Sequence, residues 1–161
     1  MKSDAEAIAD LFEKVSLGAP EKAVGFVMWR VMHRYVREID RCLKPLDLTH
    51  LQFTALALAA WMARTGEAST QSELARFSDI HPMQVSTVPR ALEHKRMILR
   101  TPAADNALAK RVSITASGLD TLRDALPLVV DVQERLFGPE GRAGGSLLSL
   151  LLRISRKTAA E

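Results

Sequence analysis

The sequence predicts a mainly α-helical fold carrying one small β-hairpin. Apolar residues recur at helical spacing along most of the 161 residues, while alternating Val, Ile and Thr are confined to short runs and only 5% of the chain is aromatic. Helix start signals recur as well: a Thr followed at the third helical position by Gln or Glu stands before two apolar runs. With 47% hydrophobic and 25% charged residues the composition is that of one globular domain, or of one domain with helical extensions.

The opening "MKSDAEAIADLFEKVSLGAPEKA" mixes two Asp and three Glu into its apolar residues, which suits no signal peptide. No apolar run approaches the roughly 20 residues needed to span a bilayer, so a cytoplasmic protein without a membrane partner is expected. The first strong helix runs from about Glu21 to Leu43. Val24, Met28, Val31, Tyr35, Ile39 and Cys42 form one stripe on it; Phe26, Trp29, His33 and Val36 form a second; Arg30, Arg34, Arg37 and Arg41 form a third. A helix apolar on two faces has two things to bury against, such as its own core and a partner subunit or ligand.

Pro45 breaks the chain, and Thr49 with Gln52 forms a capping-box pattern that starts a helix from about His50 to Ala63. "TGEAST" reads as a loop. Thr70 or Gln71 then leads through Ser72 and Glu73 into a short helix ending near Ser78, and Pro82, at a favoured first position, opens the next. Two short helices on a tight connection make a helix-turn-helix. Ile98 to Thr101 and Lys110 to Thr115, separated by a turn rich in Pro, Ala, Asp and Asn, read as a hairpin, here a wing. Thr115 caps a long helix from Ala116 to about Phe137, interrupted at Pro127 and ended by Gly138 and Pro139. A Leu-rich helix follows, Ser146 to about Arg156, too short and too apolar on several sides to stand alone.

The stretch "HPMQVSTVPRALEHKRMILRT" carries the chemistry. With Val85 at 0°, Val88, Pro89 and Leu92 fall within about 60° and form the buried face, where the proline ring is absorbed by packing. An interior proline costs about 3 kcal/mol in an exposed helix. Opposite lie Met83, Thr87, Arg90 and His94, flanked by Gln84, Ser86 and Ala91, with His81 at the threshold. Such side chains suit the major groove of double-stranded DNA: Gln can pair with adenine, Arg with guanine, Ser or Thr with either, and Met or Ala with the thymine methyl. A merely solvated helix favours Glu and Lys outward, whereas the outward acid here is Glu93 alone. The formal net charge of +3 is unevenly placed: residues 71–115 carry 7 basic and 4 acidic side chains, residues 1–20 carry 2 and 4. That asymmetry fits an anionic partner, and a solvated basic face explains it equally well.

In order and spacing, "LDLTHLQFTALALAA", "TQSELARFSDIHPMQVSTVPRALEHKRMILR" and "KRVSITASG" are similar to the MarR family of winged helix-turn-helix transcription regulators, over roughly Val24 to Ile154. The resemblance implies a homodimeric repressor in which residues 1–45 and 116–161 form a helical dimerisation region and residues 46–115 a winged helix-turn-helix DNA-binding domain. It implies a pseudo-palindromic operator and release by a small phenolic or carboxylate effector. Two departures stand out. The family's wing tip carries an Asp, one residue, then an Arg that enters the minor groove; those positions are Asn106 and Leu108 here, leaving Arg100, Lys110 and Arg111 to hold phosphates. The reactive cysteine of the peroxide-sensing branch falls at about Gly25, and the single cysteine, Cys42, is expected to be a buried small hydrophobe.

For an effector, Trp29 and His33 lie one turn apart on the first helix, and Trp61 with Met62 ends the second. An aromatic ring beside an imidazole could hold an aromatic acid; the alternative is that Trp29 and His33 fill the dimer interface. Four histidines without metal-ligand spacing, no phosphate-binding glycine loop and one cysteine give no sign of an enzyme, a cofactor or a metal site. The rival reading is a winged-helix interaction module with weakened DNA binding, against which Gln84, Ser86, Thr87 and Arg90 argue.

Overall fold

A computed structural model describes residues 3–15, 19–66, 69–78, 82–103 and 109–158, with the side chains of 15, 82–86, 157 and 158 outside that description. Its elements are α1 (Asp4–Val15), α2 (Val24–Leu43), α3 (His50–Ala63), β1 (Ser69–Thr70), α4 (Gln71–Ser78), α5 (Pro82–His94), β2 (Ile98–Pro102), β3 (Lys110–Ile114), α6 (Ala116–Phe137) and α7 (Ser146–Thr158). The chain divides into two units, residues 1–38 and 39–161, with α2 running from the first into the second.

In the first unit, α1 is a helix the expectations did not include. Ser3 and Glu6 cap it reciprocally: the Ser3 N–H donates to Glu6 Oε2 (2.9 Å) and the Glu6 N–H to Ser3 Oγ (3.3 Å). Ile8, Leu11 and Phe12 share one face of it, more than half exposed. The α2 residues from Val24 to Arg34 are likewise all exposed.

The second unit holds the core. Ile39, Leu43 and Leu56 are fully buried, and Phe53, Leu74, Val88, Leu92, Met97, Ile98, Val112 and Leu122 surround them. Helix α3 starts where expected: the Gln52 N–H donates to Thr49 Oγ1 (3.2 Å) and the Thr49 N–H returns to Gln52 Oε1 (3.3 Å). Thr70 and Glu73 repeat the device at α4, and the Thr70 N–H donates to Glu73 Oε2 (2.8 Å). Glu73 is held below the usual carboxylate range chiefly by that bond.

Three expectations need correcting. "TGEAST" is not wholly a loop, because Ser69 and Thr70 pair antiparallel with Val112 and Arg111 and make the wing a three-stranded sheet of order β1-β3-β2. Helix α6 is not interrupted at Pro127. Leu122, Ala125, Val129 and Val132 bury one continuous face on both sides of it, and at roughly 1.5–3 kcal/mol for a buried Leu or Val this outweighs the missing hydrogen bond. Cys42 is half-buried, its thiol donating to the Ile39 carbonyl (3.2 Å), and not sealed in the core. The hairpin pairs Ile98 with Ile114 through Pro102 with Lys110, and Thr115 lies just beyond it. Pro102 is tolerated because β2 is an edge strand.

The end of α5, the sheet and the start of α6 meet at one tight junction. The Thr115 hydroxyl donates to the Arg96 carbonyl (2.7 Å) and accepts from the Gly118 N–H (3.0 Å), while the Thr115 N–H donates to the Met97 carbonyl (3.1 Å). A Cβ at Gly118 would stand 2.0 Å from the Met97 oxygen, so only glycine lets α6 approach this closely.

Candidate nucleic-acid interface

Helix α5 passes through Pro89 without breaking, and the reason is packing: Pro89, Val88 and Leu92 are all buried. The proline lies on the core side, and the opposite face remains open. There Thr87, Arg90 and His94 are exposed, with Ala91 half-buried at the flank. His81 and the side chains of Met83, Gln84 and Ser86 lie outside the described residues, as do Asn106 and Leu108 at the wing tip.

On the wing, the three basic residues have distinct surroundings. Lys110 is exposed. Arg111 is half-buried, and its Nε is enclosed without a hydrogen-bond acceptor among the described residues. Arg100, expected on phosphates, is engaged within the protein. Its Nε (2.9 Å) and Nη2 (2.6 Å) both donate to Glu93 Oε2, and its backbone N–H donates to Glu93 Oε1 (3.1 Å). That hydrogen-bonded pair holds the Glu93 carboxyl below its ordinary range, with smaller help from the Lys110 charge. The lone outward acid of α5 is therefore already matched.

A second tie holds the same end of α5. Lys95 Nζ donates to the Asp47 carbonyl and to Gln52 Oε1 (3.1 Å), and pairs with the Asp47 carboxylate (3.1 Å). The end of α5 is thus fastened to the turn before α3 on one side and to the wing on the other. The sequence marks Glu93 as the outward acid of α5 but not its pairing with Arg100, and it does not mark Lys95. The signal was present only as a spacing, an acid seven residues before an arginine across a helix-to-strand turn.

The four residues proposed around a ligand fall into two pairs, one in each unit. On α2, the Trp29 and His33 rings lie 4.2 Å apart and Phe26 is 6.2 Å from Trp29. His33 Nδ1 lies 2.8 Å from the Trp29 carbonyl, which can only accept, so Nδ1 is the donor of this bond. Arg30, Arg34 and Arg37 line the same open hollow of about 380 Å³. At the end of α3, Trp61 is exposed with the Arg64 guanidinium 3.8 Å above its ring, and Met62 is half-buried beside it. Among the described residues no three His, Cys, Asp or Glu side chains gather as a metal site requires, and no helix is long and apolar enough to cross a membrane.

No protein-family model matches the chain. Individual proteins do. The HTH-type transcriptional regulator YdcH of Bacillus subtilis is 34% identical over 118 residues, covering 73% of this chain and 80% of its own. Among solved structures, the repressor CouR bound to a 23-mer DNA duplex is 25% identical, with a TM-score of 0.73 over 88% of this chain and 99% of that one. CouR from Rhodococcus jostii bound to p-coumaroyl-CoA superimposes with a TM-score of 0.71 at 23% identity over 88% of this chain and 94% of that one. A MarR-family regulator from a Rhodococcus species gives 0.68 at 23% identity over 85% and 93%. With a transcriptional regulator 34% identical over 73% of this chain and the fold shared over 85–88% of it, the chain belongs to the MarR family of winged helix-turn-helix transcriptional regulators.

Proposed function

We propose that the protein is a homodimeric, sequence-specific DNA-binding repressor whose α5 enters the major groove of a pseudo-palindromic operator. The observation that carries this reading is the open face of α5, where Thr87, Arg90 and His94 are exposed on a helix whose other side is buried in the core. In the sequence Met83, Gln84 and Ser86 extend that face, and Lys110 with Arg111 on the wing supplies charge toward phosphates. Relatives support the reading: CouR is a repressor solved on a duplex.

The dimer is assigned to residues 1–45 and 116–161. Exposed apolar side chains crowd there, among them Val24, Trp29 and Met32 on α2 and Leu150, Leu151, Leu152 and Ile154 on α7, more than a solvated helix carries by chance. Residues 46–115 are the DNA-binding domain. An effector would be an aromatic acid, stacked on Trp29 and His33 with its anionic end toward the α2 arginines; Trp61 and Met62 on α3 offer a separate aromatic-thioether surface for the same chemistry, and CouR, a structural relative, binds p-coumaroyl-CoA. The role requires no catalytic centre and is exercised in the cytoplasm.

Selection from a randomised duplex pool with the purified chain tests this. Two inverted half-sites about one helical turn apart, roughly 10–10.5 base pairs, are expected. Recovery of no enriched sequence would favour an interaction module without DNA recognition.

A further inference from the structure

Glu93 lies three residues beyond Arg90 on α5, which at about 100° per residue brings it within about 60° of that arginine. On a surface that meets phosphates, an unmatched carboxylate is repelled. This one is chelated by a single residue of the wing, through both the side chain and the backbone of Arg100. Both partners are half-buried, their side chains retaining 34% and 19% exposure.

We propose that Glu93 is a positioning residue that sets the angle of the wing on the recognition helix, and that Arg100 serves this clamp in place of a phosphate. The proposal rests on the DNA-binding reading above. A paired carboxylate and guanidinium nearly cancel in charge, so what the pair contributes toward DNA is geometry. Arg100 is the middle residue of β2 and stands opposite Val112, which is buried, so a shift at Arg100 passes to both strands of the hairpin. At its base the hairpin is already fixed by Arg96, whose left-handed φ of 59° turns the chain, and by the Thr115 hydroxyl on the Arg96 carbonyl. The clamp adds a second fixed point farther out. From Arg100 to Ala103 the strand rises roughly 10 Å at about 3.3 Å per residue, so a swing of about 10° displaces that point by about 2 Å. A displacement of that size breaks a hydrogen bond to a phosphate.

The test uses the full chain and the duplex it selects. Glu93→Gln removes a negative charge from the DNA-facing side, so electrostatics alone makes binding tighter; the clamp makes it weaker, by roughly tenfold. Arg100→Lys keeps the positive charge but loses the two-pronged bond, and the same loss is expected with an unchanged salt slope. Both variants should melt within a few degrees of the unaltered protein; should Glu93→Gln fail to fold, Arg100→Lys decides alone. Weaker binding without loss of thermal stability supports the clamp. Equal or tighter binding by a folded variant overturns it, as does a melting temperature that falls in step with affinity. If the unaltered protein selects no duplex, the DNA-binding reading itself fails, a result distinct from any variant outcome.

Discussion

Leu56, Leu92 and Val112 in the second unit retain at most 2% of their exposure, whereas Val24, Trp29 and Met32 on α2 retain 68%, 57% and 55%. The same kinds of side chain are sealed in one region and open in the other. Residues 46–115 bury most of their described large apolar groups, Trp61, Phe77 and Leu99 excepted, and close several polar ones locally: the caps of α3 and α4, the Lys95 tie and the Glu93–Arg100 pair. The outer turns of α2, and α7 with its exposed leucines, present apolar surface that one chain leaves uncovered. The difference teaches where to look for the partner subunit: on the function proposed above, the interface between copies falls to the helices with uncovered apolar faces, and the DNA interface to α5, whose described open face of Thr87, Arg90 and His94 is polar.

The largest way to break the self-sufficient region is at its tightest contact. Gly118→Ala places a methyl group 2.0 Å from the Met97 oxygen, so either α6 or the turn after α5 must move; a loss of about 3 kcal/mol or more is expected, read as a lower urea midpoint. A charge on the uncovered region should act differently. Val31, 46% exposed in one chain, can become Asp with little cost to that chain's own packing. In a two-fold dimer the change occurs twice, and at about 1.5–3 kcal/mol per buried side chain it should shift the protein toward monomer, as sedimentation velocity would detect. Were dimerisation unaffected, this face of α2 would not be the interface.

How much of this was legible follows the same division. The capping boxes at Thr49 and Thr70, the helix through Pro89 and the strands of the wing could be read because each signal lies within a few residues. β1 could not, since its two residues carry no periodicity and their partners on β3 are some forty positions away. Pro127 misled because proline's local cost is visible in sequence, whereas the burial of Leu122 and Val129 that offsets it is not. Helix α1 is legible in Ser3, Glu6 and the Ile8, Leu11, Phe12 spacing, signals as local as those of α3. At the site, the outward Thr87, Arg90 and His94 follow from helical phase alone. The engagement of Arg100 by Glu93 needed the left-handed turn at Arg96 that folds β2 back along α5.

Smaller effects sharpen the picture of the lobe. If Arg90 pairs with a guanine, Arg90→Ala costs about 1–3 kcal/mol and relaxes preference at one base pair per half-site, while a phosphate role weakens all sequences alike; competition with single-base variants of the selected duplex distinguishes them. The smallest expected effect concerns pH. Burial lowers the pKa of His50, only partly opposed by the nearby Asp40 charge, so the folded lobe holds it neutral. Its contribution to stability is complete above the ordinary value of 6.5 and is lost as pH falls through the depressed one. The melting temperature of the unaltered protein should therefore drop more steeply below pH 6.5 than that of His50→Gln, and parallel curves would assign the acid loss to other groups.

The central claim is that two copies of the chain act together, with self-contained lobes reading DNA and uncovered helices joining them. Sedimentation equilibrium of the purified protein, alone and on its selected duplex, tests it most directly. The expected result is a species of twice the 17.7 kDa chain mass for the protein alone, and on the operator a complex of that pair plus the mass of one duplex. A folded species at 17.7 kDa that still binds the full operator would contradict it.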